Sequence, residues 1–446
     1  MEERFTALGG TCVTQTPSFS DLLKVFGRIG LISFGGPAGQ IALMHREIVE
    51  ERRWVEEGAY LRALNVCHLL PGPEAQQLAT WIGWRLHGAK GGLAAGLLFV
   101  VPGALVMLGL SILYATAANL SLVAALFLGI KAAVLAIVVQ ALLRVAGRAL
   151  NSPFKRVVAA ISLVALFLFN LPFPVVVIGA LLVGTLVATT RPAWLKLGPV
   201  APPPVQAPQP WGQTLWAVLV GAACWAAPLA LVLATLGEHH VLWQIGSFFA
   251  RLAVVSFGGA YAVLTYMAQA AVQHYGWLGA GEMADGLGLA ETTPGPLIMV
   301  TQFVGYLAAF RAPAPFDPLV AGLLGALLTT WMTFAPCFLW VFALAPWIER
   351  LEHAQRLKGG LATLTAAIVG VIGNLSLWFA LHVLFARVAL WQAGPLHLQV
   401  PDLASLDWRA LVLAALAALL VLRLRWNVIA VLGVCAAGGL ALGGLG

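Results

Sequence analysis

Ionisable side chains are rare here, so each one inside an apolar stretch is a candidate for chemistry. Arg28 and Arg251 lie in apolar segments, each five residues before a Ser-Phe-Gly-Gly run. A guanidinium is a planar fork of donors that matches the oxygens of an oxyanion. Glu74 follows a Pro-Gly-Pro triplet, and Glu291 precedes a second one by three residues. A carboxylate beside an anion site suits proton coupling if it is neutral with the anion bound and ionised without it. His68 is a third proton-coupling candidate. Lys131 lies near the middle of the apolar run Leu120–Leu143 and fits charge compensation or a salt bridge to a carboxylate. Each has a structural alternative: snorkelling for the arginines, capping or packing for the carboxylates. There is no nucleophile–base constellation, no Cys/His metal spacing and no GxxxxGK[ST] loop. The sequence therefore points away from an enzyme, an ATPase, a metal site or a bound cofactor.

The elements that must hold these groups are membrane helices. Of the 446 residues, 61% are hydrophobic and only 10% charged, with a mean hydropathy of +0.91. Runs such as Leu93–Ala115, Leu120–Leu143 and Leu319–Ala345 reach the ~20 residues a bilayer span needs. The net charge of +7 comes from Lys and Arg clustered in short loops. That is the positive-inside pattern of a multi-pass protein, not a nucleic-acid surface. The first eighteen residues lack the apolar core of a cleavable signal peptide. The expected class is an all-α polytopic membrane protein.

The chain says one thing twice. Adding 223 to a residue number maps Phe26–Pro73 onto Phe249–Pro296 without a gap. Fourteen positions match, mostly Gly, Pro, Trp and Arg rather than the Leu and Ala of chance apolar similarity. Ser33, Phe34, Gly35 and Gly36 return as Ser256, Phe257, Gly258 and Gly259. Pro71, Gly72 and Pro73 return as Pro294, Gly295 and Pro296. Seven prolines between Arg191 and Trp211 mark an extended linker. The expected layout is a tail at 1–17, a repeat at 18–190, a linker at 191–212 and a second repeat at 213–446.

Basic loops at Arg85–Lys90, Arg144–Arg156, Arg191/Lys196, Arg350–Lys358 and Arg423/Arg425 alternate onto one side. Placing that side in the cytoplasm makes the halves inverted repeats. Two arrangements of the broken segments remain open. They are kinked full spans or re-entrant hairpins of two half-helices. The hairpin is preferred because it keeps His45–Glu57, with three arginines, on the cytoplasmic side.

Gly-Gly and Pro-Gly-Pro stop regular helices. A break exposes the N–H groups of a new half-helix at the positive end of its dipole, a natural anion site. Four matched breaks would then surround an oxyanion. The candidate binding residues are Arg28, Ser33, Gly35, Gly36, Pro37, Pro71, Gly72, Pro73, Gln76 and Gln77 in the first half. In the second they are Arg251, Ser256, Gly258, Gly259, Thr292, Thr293, Pro294, Gly295 and Pro296.

The run Leu70–Gly88 (LPGPEAQQLATWIGWRLHG), with Phe34-Gly35-Gly36-Pro37-Ala38 and Thr292-Thr293-Pro294-Gly295-Pro296-Leu297, resembles the chromate ion transporter family. The likeness extends over both halves, as in its long-chain, two-domain members. It implies a secondary transporter of the plasma (inner) membrane that exports chromate and gives chromate resistance, with sulfate the related oxyanion. Sulfate transport, another oxyanion or an anion channel are the alternative functions. Implied partners are chromate and the lipid bilayer; a homodimer is compatible. Ala260 stands where the first half has Pro37, and Leu297 where it has Glu74, so the two half-sites differ chemically.

Overall fold

The computed structural model describes residues 17–34, 36–117, 121–197, 211–257, 260–347 and 354–443. Gly35, Gly258, Gly259, most of the linker, the tail through residue 16 and part of the Arg350–Lys358 loop lie outside the described residues. The first half comprises α1 (Phe19–Ile32), α2 (Gly36–His45), α3 (Glu57–Cys67), α4 (Glu74–Ala117), α5 (Ser121–Ala149), α6 (Pro153–Phe167) and α7 (Phe173–Thr190). After α8 (Trp211–Leu236) come α9 (Val241–Val255), α10 (Ala260–Gln269), α11 (Ala280–Thr292), α12 (Val300–Arg311) and α13 (Pro318–Leu344). The chain finishes with α14 (Gln355–Leu384), strands β1 (Val388–Ala393) and β2 (Leu396–Pro401), α15 (Trp408–Ala418) and α16 (Val428–Gly443). Among the described residues, six helices are long and apolar enough to cross a bilayer. The protein is an all-α polytopic membrane protein.

The duplicated sequence produces duplicated structure. α1 stops at Ser33 (φ −81°, ψ 70°), where the Phe34 N–H bonds the Ile32 carbonyl. That is an inverse γ-turn. α9 stops at Ser256 with nearly the same angles (φ −80°, ψ 57°), and the Phe257 N–H bonds the Val255 carbonyl. α2 and α10 each run into a π-helical turn, Arg46–Glu51 and Ala270–His274. Each then passes a left-handed residue, Arg53 (φ 53°) and Gly276 (φ 62°).

All four broken segments double back. Arg28 lies 4.0 Å from Glu47, whereas a continuous helix would separate them by about 28 Å. Phe248 packs on Tyr275 with ring centroids 5.5 Å apart, against about 40 Å along a straight helix. Cys67 and Trp81 line one crevice on either side of the Pro71–Pro73 break. Arg311 grips Glu282 through both carboxylate oxygens, at 2.5 and 3.0 Å, and also donates to the Trp277 carbonyl. These contacts join the arms of helical hairpins whose tips are the glycine-proline breaks.

α4 reverses once more at His87–Gly88, where Gly88 takes φ 63°. A Cβ on Gly83 would collide with the Gly91 backbone, and one on Gly96 with Thr80 and Phe338. Small residues let these arms approach to backbone distance, where packing alone drives association in lipid. Gly305 and Gly325 pack the arms of α12 and α13 in the same way. α14 is the most enclosed long helix and packs on α5, α6, α7 and α10. α8 is peripheral. It holds to α13 by reciprocal indole bonds, Trp225 to the Met332 carbonyl and Trp331 to the Cys224 carbonyl.

The β1–β2 hairpin departs from the all-helical expectation. Gly394 at φ 58° and Pro395 make its two-residue turn, a backbone reversal glycine permits. The His397 N–H bonds the Leu168 carbonyl, seating the hairpin on the end of α6.

Replacing Arg311 by Gln should cost about 1–2 kcal/mol, because it leaves Glu282 partly buried without its fork. Thermal unfolding in detergent reads this, and Glu282→Gln in the same chain should restore part of the loss. An unchanged melting temperature in Arg311→Gln would mean that the hairpin closes without the clamp.

Candidate functional site

The four hairpin tips meet, and they do so crosswise. The Gly72 N–H, from the second hairpin of the first half, donates to the Ser256 carbonyl of the other half at 2.9 Å. The Gly295 N–H donates to the Ser33 carbonyl, also at 2.9 Å. Each bond joins a Pro-Gly-Pro tip to an inverse γ-turn. The turn leaves its serine carbonyl pointing outward, where no helix can use it. Gly72 (φ 117°) and Gly295 (φ 89°) both hold positive φ, so side-chain-bearing residues are strained at either position. Crowding adds to this: a Cβ on Gly72 would meet Cys337 Sγ and Gln77 Nε2, and one on Gly103 the Pro294 carbonyl. Gln40 bolts one crossing shut, its amide nitrogen 3.3 Å from the Ser33 carbonyl and 2.5 Å from the Gly295 carbonyl.

Polar side chains gather around this crossing in an otherwise apolar interior. Ser33, Gln76, Gln77 and Thr301 are completely buried, and Gln40 and Gln302 nearly so. Gln77 donates to the Pro71 carbonyl at 2.7 Å, and Thr80 to the Gln76 carbonyl at 2.9 Å. Among the described residues, the Ser33 hydroxyl and the amide oxygens of Gln40, Gln76, Gln77 and Gln302 have no partner. Glu74, the first residue of α4, is buried, and its Oε2 is unpartnered. Unsatisfied buried polar groups each cost about 1–3 kcal/mol. Such a concentration is unusual in an apolar interior.

The sequence candidates divide into those at the crossing and those away from it. Ser33, Pro71, Gly72, Pro73, Gln76, Gln77, Ser256, Thr293, Pro294, Gly295 and Pro296 are buried there or beside it. Gly36 (φ 73°) and Pro37 open α2. Thr292 and Thr293 turn their hydroxyls back onto the carbonyls of Leu289 and Ala290. Glu291 is buried one turn before its break. The arginines are elsewhere. The Arg28 side chain is 61% exposed, and its nearest carboxylate is Glu47, which also holds Arg52 at 2.5 Å. Arg251 is exposed and reaches the Ser247 carbonyl and the Tyr275 hydroxyl. Both arginines tie the arms of a hairpin together beside its tip. His68 is exposed where α3 ends. The Gly72 and Gly295 N–H groups, expected to face an anion, are committed to the Ser256 and Ser33 carbonyls.

Lys131 does meet a carboxylate. Its Nζ is 3.2 Å from Asp285 Oδ2, which also accepts from the Tyr114 hydroxyl at 2.8 Å. Asp285 is buried on α11, with Oδ1 unpartnered. The rule that singled out Lys131, a charge inside an apolar helix, applied equally to Asp285 and would have found it. Gln40 carried a weaker signal: two helical turns beyond Ser33, it is the first polar side chain of α2.

Gly295→Ala should destabilise the protein by about 1–3 kcal/mol, the range for a side chain forced into this backbone region. Ser33→Ala keeps the carbonyl and removes only an unpartnered hydroxyl, so it should leave thermal stability unchanged. Equal losses in both variants would show that the hydroxyl, rather than the carbonyl, holds the crossing.

Comparison with known proteins agrees with this architecture. The family model described as chromate transporter matches residues 20–185 and 243–440, one block in each half. The chain is 32% identical to a chromate transport protein of Pseudomonas aeruginosa over 80% of each chain. It is 28% identical to a chromate transport protein of Cupriavidus metallidurans, over 82% of this chain and 84% of that one. An uncharacterized transporter of Methanocaldococcus jannaschii is 24% identical over 84% and 87% respectively. No solved structure matches. With two family blocks, each ending its broken helices in the same glycine-proline tips, this chain belongs to the chromate transporter family.

Proposed function

We propose that this protein is a secondary active transporter that exports chromate from the cytoplasm and so confers chromate resistance. The observation that carries this reading is the buried crossing of four hairpin tips, ringed by unpartnered polar groups, in a chain of this family. The two halves, 18–190 and 213–446 around the linker 191–212, act as inverted repeats in the plasma membrane, with the N-terminus cytoplasmic. The basic loops support that orientation, and the fold-back of the tips supports hairpins entering from opposite faces.

In this reading the tetrahedral dianion passes the crossing in contact with Ser33, Gln40, Gln76 and Gln77, together with Gln302. Neutral amides and hydroxyls can turn to present donors, as an oxyanion requires. Arg28 and Arg251 stand beside the tips, on the hairpin arms, and raise the local anion concentration there. Alternating access follows if one pair of tips slides against the other. Each Gly–Ser crossing bond then breaks and re-forms as the dianion passes. Glu74, buried beside the crossing, binds a proton in one half of the cycle and releases it in the other. Glu291 and His68 are secondary candidates. The Lys131–Asp285–Tyr114 cluster neutralises its own charge and supports α11 against α5.

Uptake of chromate into everted vesicles, with and without a pH gradient and with sulfate as competitor, tests the assignment. Gradient-dependent uptake is expected. Current that follows the anion gradient without counter-transport would make the protein a channel, and preference for sulfate would change the substrate. Glu74→Gln should flatten the pH dependence of transport, and an unchanged profile would remove Glu74 from coupling. Arg28→Gln should raise KM several-fold with little change in maximal rate, because it weakens capture without touching the crossing. A fall in maximal rate at unchanged KM would place Arg28 at the crossing itself.

A further inference from the structure

A polar cavity lies away from the crossing. It has a volume of ≈ 380 Å³ and opens between the β1–β2 hairpin, the end of α6, the π-helical turn after α10 and one face of α14. That volume holds roughly a dozen water molecules, enough for a partly hydrated tetrahedral anion. α14 presents Asn374, Trp378 and His382 to it at successive steps of four residues, one stripe of a helix. His397 and Gln399 face it from β2, and Gln273 from the π-helical turn.

Its chemistry favours an anion. Asn374 and Trp378 are 3% and 4% exposed, and Asn374 Nδ2 and Trp378 Nε1 have no hydrogen-bond partner. Both residues line the cavity, and among the described residues no carboxylate, lysine or arginine does. Gln399 Oε1, an unpartnered acceptor, belongs to an amide that can turn its NH₂ inward. The two histidines are arranged alike. His382 Nδ1 is 2.9 Å from the Trp378 carbonyl, and His397 Nδ1 is 3.2 Å from the Pro395 carbonyl. A carbonyl only accepts, so Nδ1–H donates in both and Nε2 is the nitrogen left to take a proton. The His382 ring lies over the Trp378 indole with centroids 4.4 Å apart.

We propose that this cavity is a second oxyanion site. Asn374 and Trp378 bind the anion through neutral N–H donors, and His382 and His397 add charged Nε2–H donors when protonated. Anion and proton therefore bind together. The other ionisable groups on the surrounding elements do not line the cavity. They are the Arg387–Asp402 pair at 2.8 Å, Asp407 and Arg409 at the start of α15, and Tyr266, His274 and Tyr275. The Lys131–Asp285 pair lies between α5 and α11, and Lys155 and Arg156 lie at the far end of α6. α10 runs from the second Gly-Gly break to this cavity, which places the site at one end of the path proposed above. The binding chemistry does not depend on that path.

The test uses full-length protein in detergent and inorganic sulfate, a dianion at both pH 6 and pH 8. Calorimetric titration should show several-fold tighter binding at pH 6 than at pH 8, because an imidazolium offers charged donors that a neutral imidazole does not. Trp378→Phe, which keeps the ring and removes the N–H, should weaken binding at least tenfold, as should Asn374→Asp. His382→Gln with His397→Gln should abolish the difference between the two pH values while retaining binding at pH 8. Isotherms of Trp378→Phe and His397→Gln that superimpose on the wild type overturn the proposal, and these variants serve if Asn374→Asp does not fold. Loss of sulfate binding in Ser33→Ala but not in Trp378→Phe also overturns it and leaves the transport reading standing. Loss in Trp378→Phe from a protein that moves no chromate in vesicles supports this site and removes the transport reading instead.

Discussion

Two backbone hydrogen bonds, Gly72 to Ser256 and Gly295 to Ser33, hold the architecture together. A polar backbone group buried in an apolar interior must find a partner. A helix that breaks there creates several such groups at once. Here each half supplies what the other lacks. The inverse γ-turn after Ser33 or Ser256 turns one carbonyl out of its own helix, and the Pro-Gly-Pro tip from the opposite half brings one N–H to it. Neither tip is satisfied within its own half, so the two halves interlock. The same mutual dependence makes the crossing a place where two arrangements differ by only a few hydrogen bonds.

The hairpin arms show how a duplicated plan diverges. Beside the first tip the arms are tied by charge, with Glu47 between Arg28 and Arg52. At the equivalent place beside the third tip, Tyr275 replaces Arg52 and stacks on Trp277 at 4.2 Å, while Arg251 reaches the Tyr275 hydroxyl. Arg52 in turn lies over Trp54, the partner of Trp277 in the repeat, at 5.9 Å. The geometry is kept while an ion pair becomes an aromatic stack. Glu74 facing Leu297 across the repeat is the same divergence at the crossing itself. A duplicated scaffold therefore carries two chemically different halves.

The sequence by itself determined the class, the duplication and the location of every break. Those features rest on residue types that few substitutes can replace: glycine for positive φ, proline for a missing N–H, and long apolar runs for a bilayer. Local physics writes them into the chain, so they are legible one segment at a time. It also marked Lys131 as a charge in need of a partner. Only the tertiary structure decided what met what. Nothing near Lys131 names Asp285, and nothing near Gly295 names Ser33, because partners in opposite halves or on separate helices leave no periodicity in the sequence. The same reason explains two reassignments. The glycine N–H groups that local reasoning offered to an anion bond the other half, and the arginines that looked intramembrane tie hairpin arms together. The Asn374–Trp378–His382 stripe could be read as a helix face, but that it encloses a cavity depended on where a β-hairpin from beyond the helix came to rest.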